Sequence, residues 1–310
     1  MKTAGRIVLL LMLSIVSNLV SASPATVGGP STGLWWNPNE SGRGFDIDIQ
    51  DNLMIVTTYI YKQTGEPLWY TSSGLYNAQT GIFQSSYDSY SGGQCFGCPH
   101  TAPMVHSAAG GALTIHFHDN VTATLSWPGG STEIQKYNYG FADATSVLYG
   151  EWAFSFNIDG LVGGDWVIFD TPYSGSDGMT YASGHTQGTP SYAALGKYDS
   201  GLHRWIVVVD SAGYIDSFVL GMDDHRAIGT AWVEPAGTPI SGSGSVAAGQ
   251  RLLFKSELNS VANSATTMQK SLHADDHARF VVESGTPANV DVQLAFENLR
   301  RALTEFKASR

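Results

Sequence analysis

Gly33-Leu34-Trp35-Trp36-Asn37-Pro38-Asn39-Glu40-Ser41-Gly42-Arg43-Gly44-Phe45 is the densest local signal in the chain. It sets two adjacent tryptophans beside a proline, a carboxylate and closely spaced glycines. Glycine and proline punctuate a chain. Directly afterwards the pattern changes to period two. Phe45, Ile47 and Ile49 fall on one side; Asp46, Asp48 and Gln50 fall on the other. That alternation marks a half-buried strand, so the stretch reads as the first corner of a β-unit.

Strand-like runs follow at 53–62, 68–72 and 81–87. Gln63-Thr64-Gly65-Glu66 makes a hairpin loop between the first two. A long loop, 88–111, carries both cysteines. A three-strand meander then covers 112–118, 121–127 and 132–141, turned by Asp119-Asn120 and Pro128-Gly129-Gly130. The second half repeats the plan. Gly150-Glu151-Trp152 opens it, runs at 152–158, 166–170, 179–184 and 192–197 follow, and a meander at 204–210, 214–220 and 228–233 closes it. The spacing predicts a mainly β chain of two related antiparallel units, barrel- or sandwich-like, at 33–143 and 148–254. Residues 235–249 read as a linker and 251–254 as a last strand.

The two ends differ from this middle. Residues 1–22 read as a secretory signal peptide: Lys2 and Arg6, an apolar run from Ile7, and small residues at Val20-Ser21-Ala22. Residues 23–32 are a flexible lead-in. After Phe254 the period becomes helical. Leu258, Val261, Ala262, Ala265, Met268 and Leu272 share one face, and Val292, Ala295, Phe296, Leu299, Leu303 and Phe306 share another. A helical hairpin is expected within 255–310.

The 310 residues carry a net charge of -11, with 35 glycines and only 14% charged residues. The acidic excess lies before Lys255. Phosphate binding needs clustered Lys and Arg, so a nucleic-acid partner is excluded, and docking on anionic lipid is disfavoured. No membrane span is expected after cleavage of the leader.

The opening stretch, with Tyr59-Ile60-Tyr61 and Gly65-Glu66-Pro67-Leu68-Trp69-Tyr70 after it, resembles a Gly-x-Trp-Trp-Asn-Pro-x-Glu-Ser-Gly-x-Gly signature of exported bacterial proteins of no established function. The resemblance covers residues 33–141. It implies a β-fold and an exported, periplasmic or extracellular, location; it implies no catalytic residues.

Cys95 and Cys98 are the only cysteines. In an exported chain a structural disulfide is expected, with zinc binding or redox chemistry as alternatives. His100, His106, His116 and His118 could add zinc ligands, and Asp46, Asp48 and Asp51 could offer oxygens to calcium. Both sets read better as solvated strand and loop residues, so no metal site is assigned. Glu40 is the weak catalytic candidate, a carboxyl in a corner beside two indoles. A glycosidase would need a second acid, with Asp46, Glu151 and Asp165 as options. No nucleophile elbow, zinc-protease helix, phosphate loop or dinucleotide fingerprint is present, and no cofactor is expected. The aromatic pairs Trp35-Trp36 and Trp69-Tyr70 are the candidate ligand-binding residues, because neighbours on a strand face opposite ways. These features favour a non-enzymatic binding module for a carbohydrate or another neutral molecule. The alternatives are a glycan hydrolase using Glu40, and an interaction protein that docks on another exported protein through its C-terminal helices.

Overall fold

In the computed structural model the described residues are 29–158, 161–262 and 290–308. The leader and most of the lead-in lie outside them. Two closed antiparallel barrels of eight strands fill the chain. The first is built from β1 (Gly33–Trp36), β2 (Gly44–Gln50), β3 (Leu53–Tyr61), β4 (Pro67–Asn77), β5 (Ile82–Ser86), β8 (Ala112–Phe117), β9 (Thr122–Trp127) and β10 (Gly130–Lys136). Between β5 and β8, β6 (Ser89–Gly92) and β7 (Pro103–His106) form a separate hairpin. The second barrel is β11 (Gly150–Ile158), β12 (Leu161–Ser174), β13 (Thr180–Thr186), β14 (Ala193–Asp199), β15 (Arg204–Ser211), β16 (Tyr214–Met222), β17 (Arg226–Pro235) and β18 (Ser245–Phe254). Helices α1 (Lys255–Ala262) and α2 (Val290–Ala308) follow.

Each strand pairs with its sequence neighbour, apart from the inserted hairpin, and the first strand of each unit pairs with the last. Closure of this kind leaves no sheet edge exposed. The period-two pattern supplies the lumen. Phe45, Ile47, Met54, Val56, Phe83, Ile115, Phe117, Leu125 and Ile134 fill the first barrel. Trp152, Phe154, Val167, Phe169, Val207, Phe218 and Leu220 fill the second.

The opening corners close both barrels by one device. Trp35 is 1% exposed and Trp152 is fully buried. Each indole N–H donates to the carbonyl four residues earlier, Trp35 to Ser31 and Trp152 to Leu148, both at 2.9 Å. Each tryptophan pairs in register with a cation on the last strand, Trp35 with Lys136 and Trp152 with Arg251. The preceding glycines, Gly33 and Gly150, have φ of 96° and 130°. A Cβ on Gly33 would meet Lys136 Nζ at 2.9 Å; one on Gly150 would meet Arg251 Nη1 at 2.9 Å and the Leu253 carbonyl at 2.3 Å. The glycine is therefore required twice, for its dihedral and for the close approach of the last strand. Gly150→Ala is expected to lower the unfolding free energy by at least about 2 kcal/mol. Gly129→Ala is the control, since its φ of 98° carries the same backbone strain and nothing lies within 4 Å of the added methyl. Urea unfolding of the two variants would separate the clash from the strain.

The tryptophan ends of the two barrels face each other. Asn120, in the β8–β9 turn, donates to the Gly221 carbonyl at 3.0 Å, and Ser31 donates to Asp223 at 2.6 Å. Asn138 donates to the Met222 carbonyl, Arg226 donates to that of Pro30, and Arg204 pairs with Asp119. Asp223 also accepts the backbone N–H groups of His225 and Arg226, so one buried carboxylate fixes the β16–β17 turn and the junction together. Lys136 lies here too; burial holds its ammonium below the usual range, opposed by Asp224, Asp223 and Asp46.

Three expectations need correction. Residues 245–249 are not linker: they begin β18, the strand that seals the second barrel. Their small side chains are a packing requirement, because a Cβ on Gly249 would sit 2.6 Å from the Phe154 ring. The first corner is itself partly a strand, β1. The loop at 88–111 contains the β6–β7 hairpin, and the Cys95–Cys98 disulfide lies in its connection. At the C-terminus, α2 packs Ala295, Phe296, Leu299, Ala302 and Leu303 on the outer face of the second barrel, against Leu195, Ile206, Val208, Ile215 and Trp232. Residues 263–289, which include much of the first predicted helical face, lie outside the described part. No helix among the described residues is long and apolar enough to cross a membrane.

Candidate ligand-binding site

The end of the first barrel away from the junction is open. A cavity of about 590 Å³ enters the lumen there, lined by Arg43, Phe45, Thr58, Ile60, Tyr61, Tyr70, Tyr87, Leu125 and Trp127, with Ser41, Gly42 and Gly110 at the lip. This lies within the roughly 300–1,000 Å³ of typical small-molecule sites. The lumen-facing phases of β2, β3, β4 and β9 supply its walls. On β3 that phase runs Met54, Val56, Thr58, Ile60, so a hydroxyl interrupts an apolar row.

That hydroxyl is informative. Thr58 is 3% exposed and its hydroxyl faces the Tyr87 phenol, while the Ser72 hydroxyl on the adjacent β4 wall is buried with no hydrogen-bond partner among the described residues. A buried polar group without a partner costs about 1–3 kcal/mol and calls for an explanation. Tyr87 lies beside them. Burial pushes its phenol up, with the Thr58 hydroxyl and Arg43 pulling the other way. The phenol remains a neutral donor at neutral pH.

The opening signature builds the lip. Asn37 accepts the Asn39 N–H and donates to Thr132, and Thr132 in turn donates to Glu40. Glu40 pairs with Arg43, and the Arg43 guanidinium lies 5.2 Å from the Trp127 ring centroid. A thirteen-residue stretch thus becomes a pinned loop that presents one arginine to the cavity and turns its carboxylate to a neighbouring groove beside His118 and Glu133.

Of the four aromatic candidates, only Tyr70 lines the cavity. Trp35 belongs to the core. Trp36 is half-buried against Tyr137, with ring centroids 4.8 Å apart. Trp69 points outward, 48% exposed, and stacks on Tyr90 at 5.0 Å. The structure brings none of the four together. Glu40 is a half-exposed ion-pair partner rather than a buried acid. Asp165 and Glu151 belong to the other barrel, and Asp46 faces outward on β2. His116 and His118 touch ring to ring at 5.1 Å, and His118 bonds Thr124. Among the described residues no group of three or more His, Cys, Asp or Glu converges as a metal site. Sequence reasoning missed Arg43, Thr58, Tyr87 and Trp127, which come together only when the barrel closes.

The far end of the second barrel holds different chemistry. Asp165 on β12 and Asp216 on β16 occupy lumen positions on opposite walls, since Asp165 pairs in register with Phe154 and Asp216 with Val209. Both are nearly buried and their carboxyls hydrogen-bond each other. Burial, then the charge of Asp216 and its hydrogen bond, push Asp165 up to about 8. Burial also raises Asp216, opposed by hydrogen bonds from Asp165 and Ser211. The pair shares a proton that sits mainly on Asp165.

Comparison with known protein families, with characterised proteins and with solved structures finds no match for this chain.

Proposed function

We propose that the first barrel is a container that holds a small, flat, largely apolar molecule, and that the chain is a binding protein rather than an enzyme. The observation that carries this reading is the open cavity walled by Phe45, Tyr61, Tyr70, Tyr87, Leu125 and Trp127. An eight-stranded barrel is just wide enough to be filled by its own side chains or to hold one small ligand. Here the junction end is filled and the other end is not. The arrangement of Glu40 argues against the hydrolase alternative, and burial of the α2 face argues against docking through that helix.

Phenylnaphthylamine, a neutral probe that fluoresces in apolar surroundings, tests the reading. Ile60→Trp fills space near the mouth, and Ser41→Trp does so from the adjoining lip loop. Each folded variant is expected to weaken probe binding at least about tenfold, a loss of about 1.4 kcal/mol. Unchanged binding in both would place the probe elsewhere and remove the basis for a container.

A further inference from the structure

We infer that the ligand of this cavity is an apolar monoanion, a flat ring system or chain bearing one carboxylate or sulfonate, which Arg43 receives by exchanging it for Glu40. The inference rests on the container reading and specifies its ligand.

The lining carries it. Arg43 is the single charged side chain among the lining residues, in a chain whose net charge is -11. The other lining side chains with a polar atom are the hydroxyls of Ser41, Thr58, Tyr61, Tyr70 and Tyr87 and the indole of Trp127. No carboxylate or amide faces inward. The guanidinium only donates and the hydroxyls can donate as well as accept; with Glu40 held outside the cavity, such a lining favours an anionic acceptor over a cation. Low-dielectric aromatic walls strengthen that preference.

The position of Arg43 sets the mode of entry. Its guanidinium lies over Trp127 and lines the cavity, while its backbone belongs to the lip loop. Glu40 occupies it from outside, half-exposed and steadied by Thr132. A solvent-exposed pair contributes little, about 0–1 kcal/mol. An anion arriving from within the cavity meets the same guanidinium in drier surroundings and can displace Glu40, whose carboxylate turns to water. The pair then acts as a latch that only an anionic ligand opens. No covalent step is involved.

The test uses two probes with the same rings on the full chain. Anilinonaphthalenesulfonate carries a sulfonate; phenylnaphthylamine does not. Wild type is expected to bind the sulfonate about tenfold more tightly, as one charge-assisted hydrogen-bonded pair provides. Arg43→Gln is expected to erase that preference, weakening the sulfonate about tenfold more than the neutral probe. Glu40→Gln, which frees Arg43, is expected to tighten the sulfonate severalfold and leave the neutral probe alone. Equal loss of both probes in Arg43→Gln would make the arginine only a piece of wall and overturn the inference while the container stands. Equal affinity of wild type for the two probes would do the same. If Ile60→Trp and Ser41→Trp change neither probe, the container fails and the anion site goes with it.

Discussion

Arg251→Ala is expected to unfold the second barrel at a markedly lower denaturant concentration than wild type and to leave the first nearly unchanged. Arg251 is 4% exposed, and its three guanidinium nitrogens all donate to backbone carbonyls. Its Nε donates to the Asp224 carbonyl at 2.5 Å, Nη1 to Tyr149 at 2.6 Å and Nη2 to Val147 at 2.5 Å. The plane lies 4.2 Å from the Trp152 ring centroid and 4.8 Å from that of Phe254. Burial pulls its pKa down to about 10, against the opposing influence of Asp224, Asp223 and Glu257, so it stays charged at neutral pH. Alanine would strand three carbonyls and open a void beneath Trp152. Each stranded acceptor costs about 1–3 kcal/mol, and the void adds to that. After partial relaxation the expected loss is about 4 kcal/mol. Lysine cannot span three divergent carbonyls from one nitrogen, so Arg251→Lys should recover less than half. Hydrogen exchange resolved to β11 and β18, against β1 and β10, is the measurement. Equal loss of protection in both barrels would refute a clasp local to the second.

Raising the pH from about 4 to about 8 is expected to weaken the second barrel progressively, and Asp165→Asn should flatten that slope. The sign follows from the proton count. In the unfolded chain Asp165 ionises near 3.8, the ordinary value for an aspartate, but in the folded lumen it holds its proton to about 8. Between these values the folded state binds more protons than the unfolded one, so stability falls as pH rises. It is fully present below about 4 and levels off above about 8. The pair titrates as a unit, and Asp216, also raised, adds in the same direction. The span corresponds to a loss of several kcal/mol, since one pKa unit is worth about 1.4 kcal/mol. Asparagine keeps a donor for Asp216 and has no proton to lose. Thermal unfolding of wild type and variant at a series of pH values would show the difference. A wild-type slope equal to that of Asp165→Asn would mean that the lumen pair ionises as freely as in water.

The alternating strands were legible because burial imposes a period of two on them; Phe45, Ile47 and Ile49 announce β2 unaided. The duplicated Gly-x-Trp was legible for a related reason, since a positive-φ glycine beside a buried indole leaves a fixed spelling. Other elements have no such signature. All four residues of β7 are exposed, so burial writes no pattern into it. β18 uses alanine and glycine because Phe154 and Phe156 press on it from the neighbouring strand, and small residues in isolation read as linker. β1 is too short to show a period, and its partner lies on the last strand. The cavity was the least legible part. Arg43, Thr58, Tyr70 and Trp127 come from a loop and three strands whose convergence depends on closure. One signal was available: Thr58 and Asp165 are polar residues in an otherwise apolar phase of their strands. That placement is costly unless it serves packing, protonation or a ligand.

The seam of each barrel has a consequence in time. Trp35 must wait for Lys136, and Trp152 for Arg251, partners about a hundred residues away, and such distant pairings form slowly. A chain that emerges from its N-terminus can still finish the first seam before β11 exists, because that seam borrows nothing from the second half. The completed barrel then presents Asn120 as a ready partner for the end of β16 and Asp119 for Arg204 at the start of β15. The second unit has no such privilege: its outer wall of Ile206, Val208 and Trp232 stays wet until α2, the last described element made, arrives to cover it. The hazard of premature association therefore falls on the second barrel, in the interval between its closure and the arrival of its helix.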